Sequence, residues 1–229
     1  MPGHFTFYSN KISSGTAYFD ETEFKHVIQV LRYTLGSEIW FTDGCGNRYQ
    51  GEINFIGKKE FTVAIHSALA IDNQPDIVLG IGILKSSDRL EWATEKCTEL
   101  GVKELWFLKS KNSERAHINL ERLSKVAVSA MKQSHGAHLP TLRHLGVEEA
   151  FDYSKMYDNR YIAYCDSEKT NPISACDLPA VIFIGPEGDF TAAEIEWALK
   201  DGFKGIGLGR NILRTETAAV AAVSALRLK

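Results

Sequence analysis

The sequence predicts an α/β protein in two parts: a small N-terminal β-barrel, then a larger domain built on a parallel sheet. Three observations carry this. The first 71 residues are a succession of short aromatic and β-branched runs separated by Gly, Asn and Asp. Beyond Pro75, apolar strands alternate with helices. Two of the later strands end in glycine-containing loops, the place where open parallel sheets bind ligands.

In the first part, HFTFYSN, GTAYFD, SEIWFTDGCGNRYQGEINFIG and EFTVAIHSAL read as closely spaced strands, as in a small barrel. DGCGN (Asp43 to Asn47) is a hairpin tip by composition. One helix interrupts the strands. DETEFKHVIQVLRY has an acidic first turn, with Phe24, Val27, Ile28 and Leu31 at helical spacing. Polar residues and Pro75 then mark a linker, dividing the chain into residues 1–71 and 72–229.

IVLGIGIL is a continuous apolar run, expected of a strand covered on both faces. SSDRLEWATEKCTELG follows as a helix, with a Ser-Ser-Asp start and Gly101 as its stop. ELWFLKS is the next strand, and a helix is expected from about Asn119 to Gln133. RYIAYCD, AVIFIG and GIGLG supply three more strands. TAAEIEWALKDG is a helix with Thr191 as N-cap, Glu194 in capping-box position and Gly202 as stop. TETAAVAAVSALRL is the closing helix.

Composition narrows the function classes. With 44% apolar and 24% charged residues, the 229-residue chain has ordinary globular character. Its net charge of −3 excludes a bulk polycation, so nucleic-acid binding requires a local basic face. Such a face is available between Lys85 and Arg143, where eleven Lys and Arg residues stand against seven acids. Cys45, Cys97, Cys165 and Cys176 are scattered, which points to free thiols in a reducing compartment. The first residues lack the pattern of a signal peptide, and no apolar run approaches the roughly 18 residues of a membrane span. A soluble cytoplasmic protein is expected. His135 and His138 have metal-compatible spacing without a third ligand, so no metal is expected.

The two glycine loops carry the chemistry. GPEGDF (Gly185 to Phe190) opens like a phosphate turn, but Pro186 removes an N–H donor, and Glu187 and Asp189 would face an anion. The acids suit a ligand with hydroxyls or a positive centre. A tight strand-to-helix turn explains the same glycines without any ligand. In LRTETA, Arg214, Glu216 and Thr217 stand at the start of an Ala-rich helix. Here too a structural reading is open, with Thr215 or Thr217 as N-cap and Glu216 favouring the helix dipole.

Together, IGPEGDF and LGRNILRTETA resemble the signature of the ribosomal RNA small-subunit methyltransferase E family. HVIQVLR (His26 to Arg32), LKSSDRLEWATEKCTELGV and KQSHGAHLP resemble further elements of that family, so the likeness covers nearly the whole chain. Three departures stand out. Asp189 replaces a frequent Gly, Gln29 a common Arg, and His135-Gly136-Ala137 a frequent Gly-Arg. The resemblance implies methylation of N3 of a uridine in 16S ribosomal RNA with S-adenosylmethionine. It implies a SPOUT-type sheet with a deep trefoil knot, which general topology rules would have excluded. It also implies a PUA-like N-terminal domain that binds RNA, and a homodimer.

Carried onto this sequence, the resemblance places the cofactor against Ile184, Gly185, Pro186, Glu187, Gly188, Leu208 and Gly209. Ile212, Leu213, Arg214, Thr217 and Ala218 complete its site. Arg214 is the expected cation for a developing uridinate, and Glu216 the weaker candidate for a base. RNA contacts are expected from His26, Arg32, Lys85, Arg89, Lys96, Lys132, Gln133 and Ser134. Other readings remain open: ribose 2′-O-methylation of another RNA, a non-catalytic RNA-binding protein, and a metal-dependent phosphoesterase using Glu187, Asp189 and Glu194.

Overall fold

The structure, a computed structural model, describes residues 6–71, 74–113, 117–165 and 170–228. The chain forms two compact units, one of Met1–Asn73 and Val128–Leu139, the other of Gln74–Ala127 and Pro140–Lys229.

In the first unit, β1 (Thr6–Tyr8), β2 (Lys11–Ser13), β3 (Thr16–Phe19), β4 (Glu38–Thr42), β5 (Asn47–Ile56) and β6 (Phe61–Ala70) form one sheet in the order β1-β4-β5-β6-β3-β2. Strands β3 and β4 lie three places apart, roughly 14 Å in a flat sheet. Yet Phe19 of β3 and Phe41 of β4 meet edge to face at 5.3 Å, and Phe19 stacks on Phe61 at 4.4 Å. The sheet therefore curls around these rings. It is a half-barrel, where a small barrel was expected: among the described residues β1 and β2, three residues each, share no ladder.

The helix expected after Asp20 is also modified. Asp20 caps α1 (Glu21–Phe24), but Lys25–Val30 then widen into a π-helix. Leu31 N–H consequently bonds the His26 carbonyl, five residues back, and Arg32 takes a left-handed conformation at φ +59°. Val27 remains fully buried against the Phe7 and Phe41 cluster. Residues 135–139 join this unit through backbone pairing with the hairpin tip: Gly46 N–H bonds the Ala137 carbonyl and Leu139 N–H the Gly44 carbonyl.

The second unit runs β7 (Ile77–Gly82), α2 (Ser87–Glu99), β8 (Glu104–Lys109), α3 (Leu120–Gln133, whose end belongs to the first unit), β9 (Thr141–Gly146), α4 (Val147–Ser154), β10 (Asn159–Ala163), β11 (Asn171–Pro172), β12 (Ala180–Ile184), α5 (Ala192–Lys200), β13 (Lys204–Gly207) and α6 (Thr215–Arg227). Seven strands form a wholly parallel sheet, ordered β11-β13-β10-β12-β7-β8-β9. Side-chain alternation builds two cores from the same strands. Ile77, Leu79, Ile182, Ile184 and Phe107 face a layer containing Leu90, Ala219 and Val223 from α2 and α6. Val78, Val181, Phe183 and Trp106 face Phe151 of α4 and Ala198 of α5.

Helix ends follow the sequence. Ser86 caps α2 through Arg89 N–H, Thr191 and Glu194 form a capping box on α5, and Gly101 and Gly202 close these helices with positive φ. Among the described residues no helix is long and apolar enough to cross a membrane.

Candidate active site

Strands β10, β12 and β13 are neighbours, so the loops leaving their carboxyl ends converge. With the start of α6 they enclose a cavity of about 510 Å³, within the range of small-molecule sites. The turn after β12 folds tightly on itself. A Cβ on Gly185 would lie 2.7 Å from Asp189 Oδ1 and 3.0 Å from Asp189 Cα, so only glycine fits.

Ile184, Gly185, Pro186, Glu187, Leu208, Gly209, Ile212, Leu213, Arg214 and Ala218 come together on the cavity wall. Gly188 and Thr217 do not. Gly188 turns outward, its carbonyl accepting from Asn112 Nδ2 at 3.0 Å. Thr217 is exposed because the helical period turns Thr215 and Ala218, on either side of it, inward. Neither threonine caps α6: Arg214 holds the N-cap position without a side-chain hydrogen bond.

Arg89, expected to meet RNA, instead lines the cavity. Its Nε and Nη2 donate to Glu216 Oε1 and Oε2 at 2.8 and 2.5 Å, and its Nη1 donates to Glu187 Oε1 at 3.0 Å. The backbone N–H of Lys85 donates to the same Glu187 oxygen at 3.3 Å. Glu216 is buried behind this guanidinium, off the cavity wall. Burial pushes its carboxyl up, but the Arg89 hydrogen bonds and charge outweigh it and hold it below the usual range. A carboxylate kept ionised with both oxygens engaged is a poor proton acceptor, which corrects the expectation of a base at Glu216. Arg214 is exposed and in no salt bridge among the described residues. It is a cation available at the mouth.

The expected RNA residues divide between the units. In the first, His26 packs edge to face on Phe7, while Arg32, Gln133 and Ser134 are exposed. Lys132 is not available as expected: its side chain is only 19% exposed and pairs with buried Glu23. In the second unit, Lys96 is paired with Glu95 and Glu99, and Lys85 is exposed. The two histidines at metal-compatible spacing serve structure, His135 Nδ1 bonding Thr6 Oγ1 and His138 Nε2 the Ile71 carbonyl. Of the wall residues, Ala163, Tyr164, Cys165 and Thr170 have no counterpart in the sequence expectations. Ala163 ends β10 and the others follow it, and only the strand order reveals that β10 lies between β12 and β13.

A parallel sheet with its ligand cavity at the strand ends, joined to a half-barrel, defines an RNA-modifying enzyme class once set beside known proteins. The RNA methyltransferase domain model matches residues 72–227, and the RNA methyltransferase PUA domain model residues 19–65. This chain is an RNA methyltransferase with an N-terminal PUA domain. A ribosomal RNA small subunit methyltransferase E from Rickettsia conorii is 31% identical over 216 residues, 89% of this chain and 85% of that protein. The crystal structure of a probable rRNA-methyltransferase from Porphyromonas gingivalis matches at TM-score 0.84 and 34% identity, covering 96% of this chain and 95% of that one. That of a ribosomal RNA small subunit methyltransferase E from Neisseria gonorrhoeae, bound to S-adenosyl methionine, matches at TM-score 0.84 and 28% identity, covering 99% and 98%. The chain belongs to the ribosomal RNA small subunit methyltransferase E family.

Proposed function

We propose that this protein transfers a methyl group from S-adenosylmethionine to N3 of a uridine in 16S ribosomal RNA. The observation that carries the reading is the cavity at the ends of β10, β12 and β13, with Arg214 exposed at its mouth. The wall suits the cofactor chemically. Ile184, Leu208, Leu213 and Ala218 offer apolar surface for a purine, while the Gly185 and Gly209 backbones can approach a ligand closely. Glu187 accepts hydroxyl donors. The bound cofactor supplies an electrophilic methyl on a positively charged sulfur.

The chain's own residues then have three tasks. The loops hold donor and acceptor in line, which supplies much of the acceleration of a displacement that needs no covalent enzyme intermediate. Arg214 stabilises the negative charge that develops on uracil as N3 gives up its proton. Arg89, fixed by Glu216, positions Glu187 at the cavity edge. Exposed Arg32, Gln133 and Ser134 with His26 serve as RNA contacts on the PUA unit, and Lys85 on the catalytic unit.

The same reading gives the second unit the SPOUT trefoil knot. The place of β12 between β7 and β10, both earlier in the chain, supports it, as does packing of α6 near β7 and α2. It further gives a cytoplasmic homodimer, so light scattering is expected to report twice the 25.5 kDa chain mass. Nucleoside mass spectrometry of 16S ribosomal RNA from a deletion strain tests the activity. N3-methyluridine is expected to vanish and to return with the intact gene. Its persistence would refute the assignment, and loss of a ribose 2′-O-methyl instead would mark a different acceptor.

A further inference from the structure

We propose that Asp189 is a specificity residue for the methyl donor, its carboxylate recognising the positive charge that separates a sulfonium from a neutral thioether. The inference deepens the function proposed above and rests on it.

Asp189 occupies a left-handed turn position. Its φ is +59°, a left-handed conformation that glycine adopts without strain and that Asp adopts when its side chain bonds the local backbone. Its return over Gly185 forbids even a methyl group there. An acid on the cavity wall, at a backbone position that glycine fills equally well, points to a role for its side chain. The carboxylate is fixed: Oδ1 accepts from Phe190 N–H at 2.7 Å, and the Cys165 backbone N–H donates to the group as well. Both neighbours are neutral.

The two acids of the cavity wall are therefore unequal. Glu187 is held by Arg89, whereas Asp189 forms no salt bridge among the described residues. It is half-buried on the wall, and burial raises its pKa against the two backbone hydrogen bonds. A carboxylate desolvated without a cation is unfavourable until a cationic ligand arrives. A ligand with positive sulfur completes the pair; its demethylated product, with neutral sulfur, does not. The residue thus favours donor over spent product and promotes product release.

The test is calorimetric titration of S-adenosylmethionine and S-adenosylhomocysteine into the unaltered chain and Asp189→Asn. Asn tolerates the left-handed backbone and keeps an acceptor for Phe190 N–H. The expected result is a roughly tenfold weaker S-adenosylmethionine affinity, with S-adenosylhomocysteine changed by less than about twofold. Asp189→Gly is expected to lose the same discrimination without a lower melting temperature, because glycine adopts this φ without strain. Equal weakening of both ligands, or of neither, overturns the inference and makes Asp189 a loop brace only. If the unaltered chain binds neither ligand, the proposed function itself fails and this inference falls with it.

Discussion

Replacing Arg89 with methionine isolates the contribution of one ion pair to both stability and site geometry. The substitution keeps most of the aliphatic stem and removes the guanidinium. Glu216 is then left with a side chain only 10% exposed and no cation in hydrogen-bond contact, while Arg89 itself is 29% exposed. Breaking a fully buried pair costs about 3–5 kcal/mol, and a hydrogen bond to a charged group contributes about 1.5–3 kcal/mol. The partial exposure of Arg89 puts the expected loss at the lower end, about 2–3 kcal/mol. For a unit of this size that lowers the melting temperature by roughly 5–10 °C.

The loss should also depend on pH in a defined direction. Glu216 has a depressed folded pKa, so its contribution is complete above the unfolded value of about 4.3 and disappears as pH falls through the lower folded value. In Arg89→Met burial is opposed only by a backbone hydrogen bond and the charge of Arg214, the folded pKa rises, and the variant's penalty fades on acidification. Thermal melts at pH 7 and at pH 4 are therefore expected to show a wide gap between the two proteins and then a narrow one. The double variant Arg89→Met/Glu216→Gln should recover much of the loss at pH 7. A gap independent of pH, or a double variant no better than additive, would refute the pairing argument.

Arg214→Met is expected to lower single-turnover methyl transfer about 10²- to 10³-fold, the size typical of losing one charge-stabilising donor. S-adenosylmethionine affinity should hold, and a drop in affinity alone would instead make Arg214 a cofactor residue. Gly185→Ala drives a methyl into Asp189 and should cost about 1–3 kcal/mol while abolishing cofactor binding by calorimetry; normal binding would show that the turn relaxes freely. Thr191→Ala removes half of the α5 capping box, and urea titration is expected to show about 1 kcal/mol of lost stability with an unchanged m-value.

The elements that could be read from sequence are those whose cause is local. The capping box of α5, the Gly101 and Gly202 stops and the doubly buried strands β7 and β12 each declare themselves in a few neighbouring residues. Strand β9 and helix α4 leave no such local trace, because TLRHLG at the sheet edge is half polar and only Leu145 of it is buried. The π-helix at Lys25–Val30 eluded pattern reading for a different reason. Its apolar positions fit an ordinary helix, and one wider turn leaves little trace in composition.

The candidate site divides in the same way. Residues within the two glycine loops were legible as a group, since chain proximity keeps them together. Arg89 was visible only as a basic residue on a helix, and its pairing with Glu216 spans 127 positions. No local signal separates such an arginine from one facing phosphate. Lys132 and Glu23, 109 positions apart, repeat the lesson. Long-range ion pairs decide which charges remain free to meet RNA, and they are fixed by topology.

The position of β12 has a consequence for when the protein becomes functional. It forms its ladder with β7, which emerges from the ribosome roughly a hundred residues earlier, so the sheet waits on a closure that is costly and slow. The cavity then needs β13 and α6, which follow β12 along the chain. A chain interrupted anywhere before α6 lacks the wall that Ala218 supplies. Ligand binding thus depends on α6: only a chain that carries it can gain the stabilisation that the ligand brings. For a family that modifies ribosomal RNA, a copy that stops short of α6 therefore carries the RNA contacts without a complete cavity.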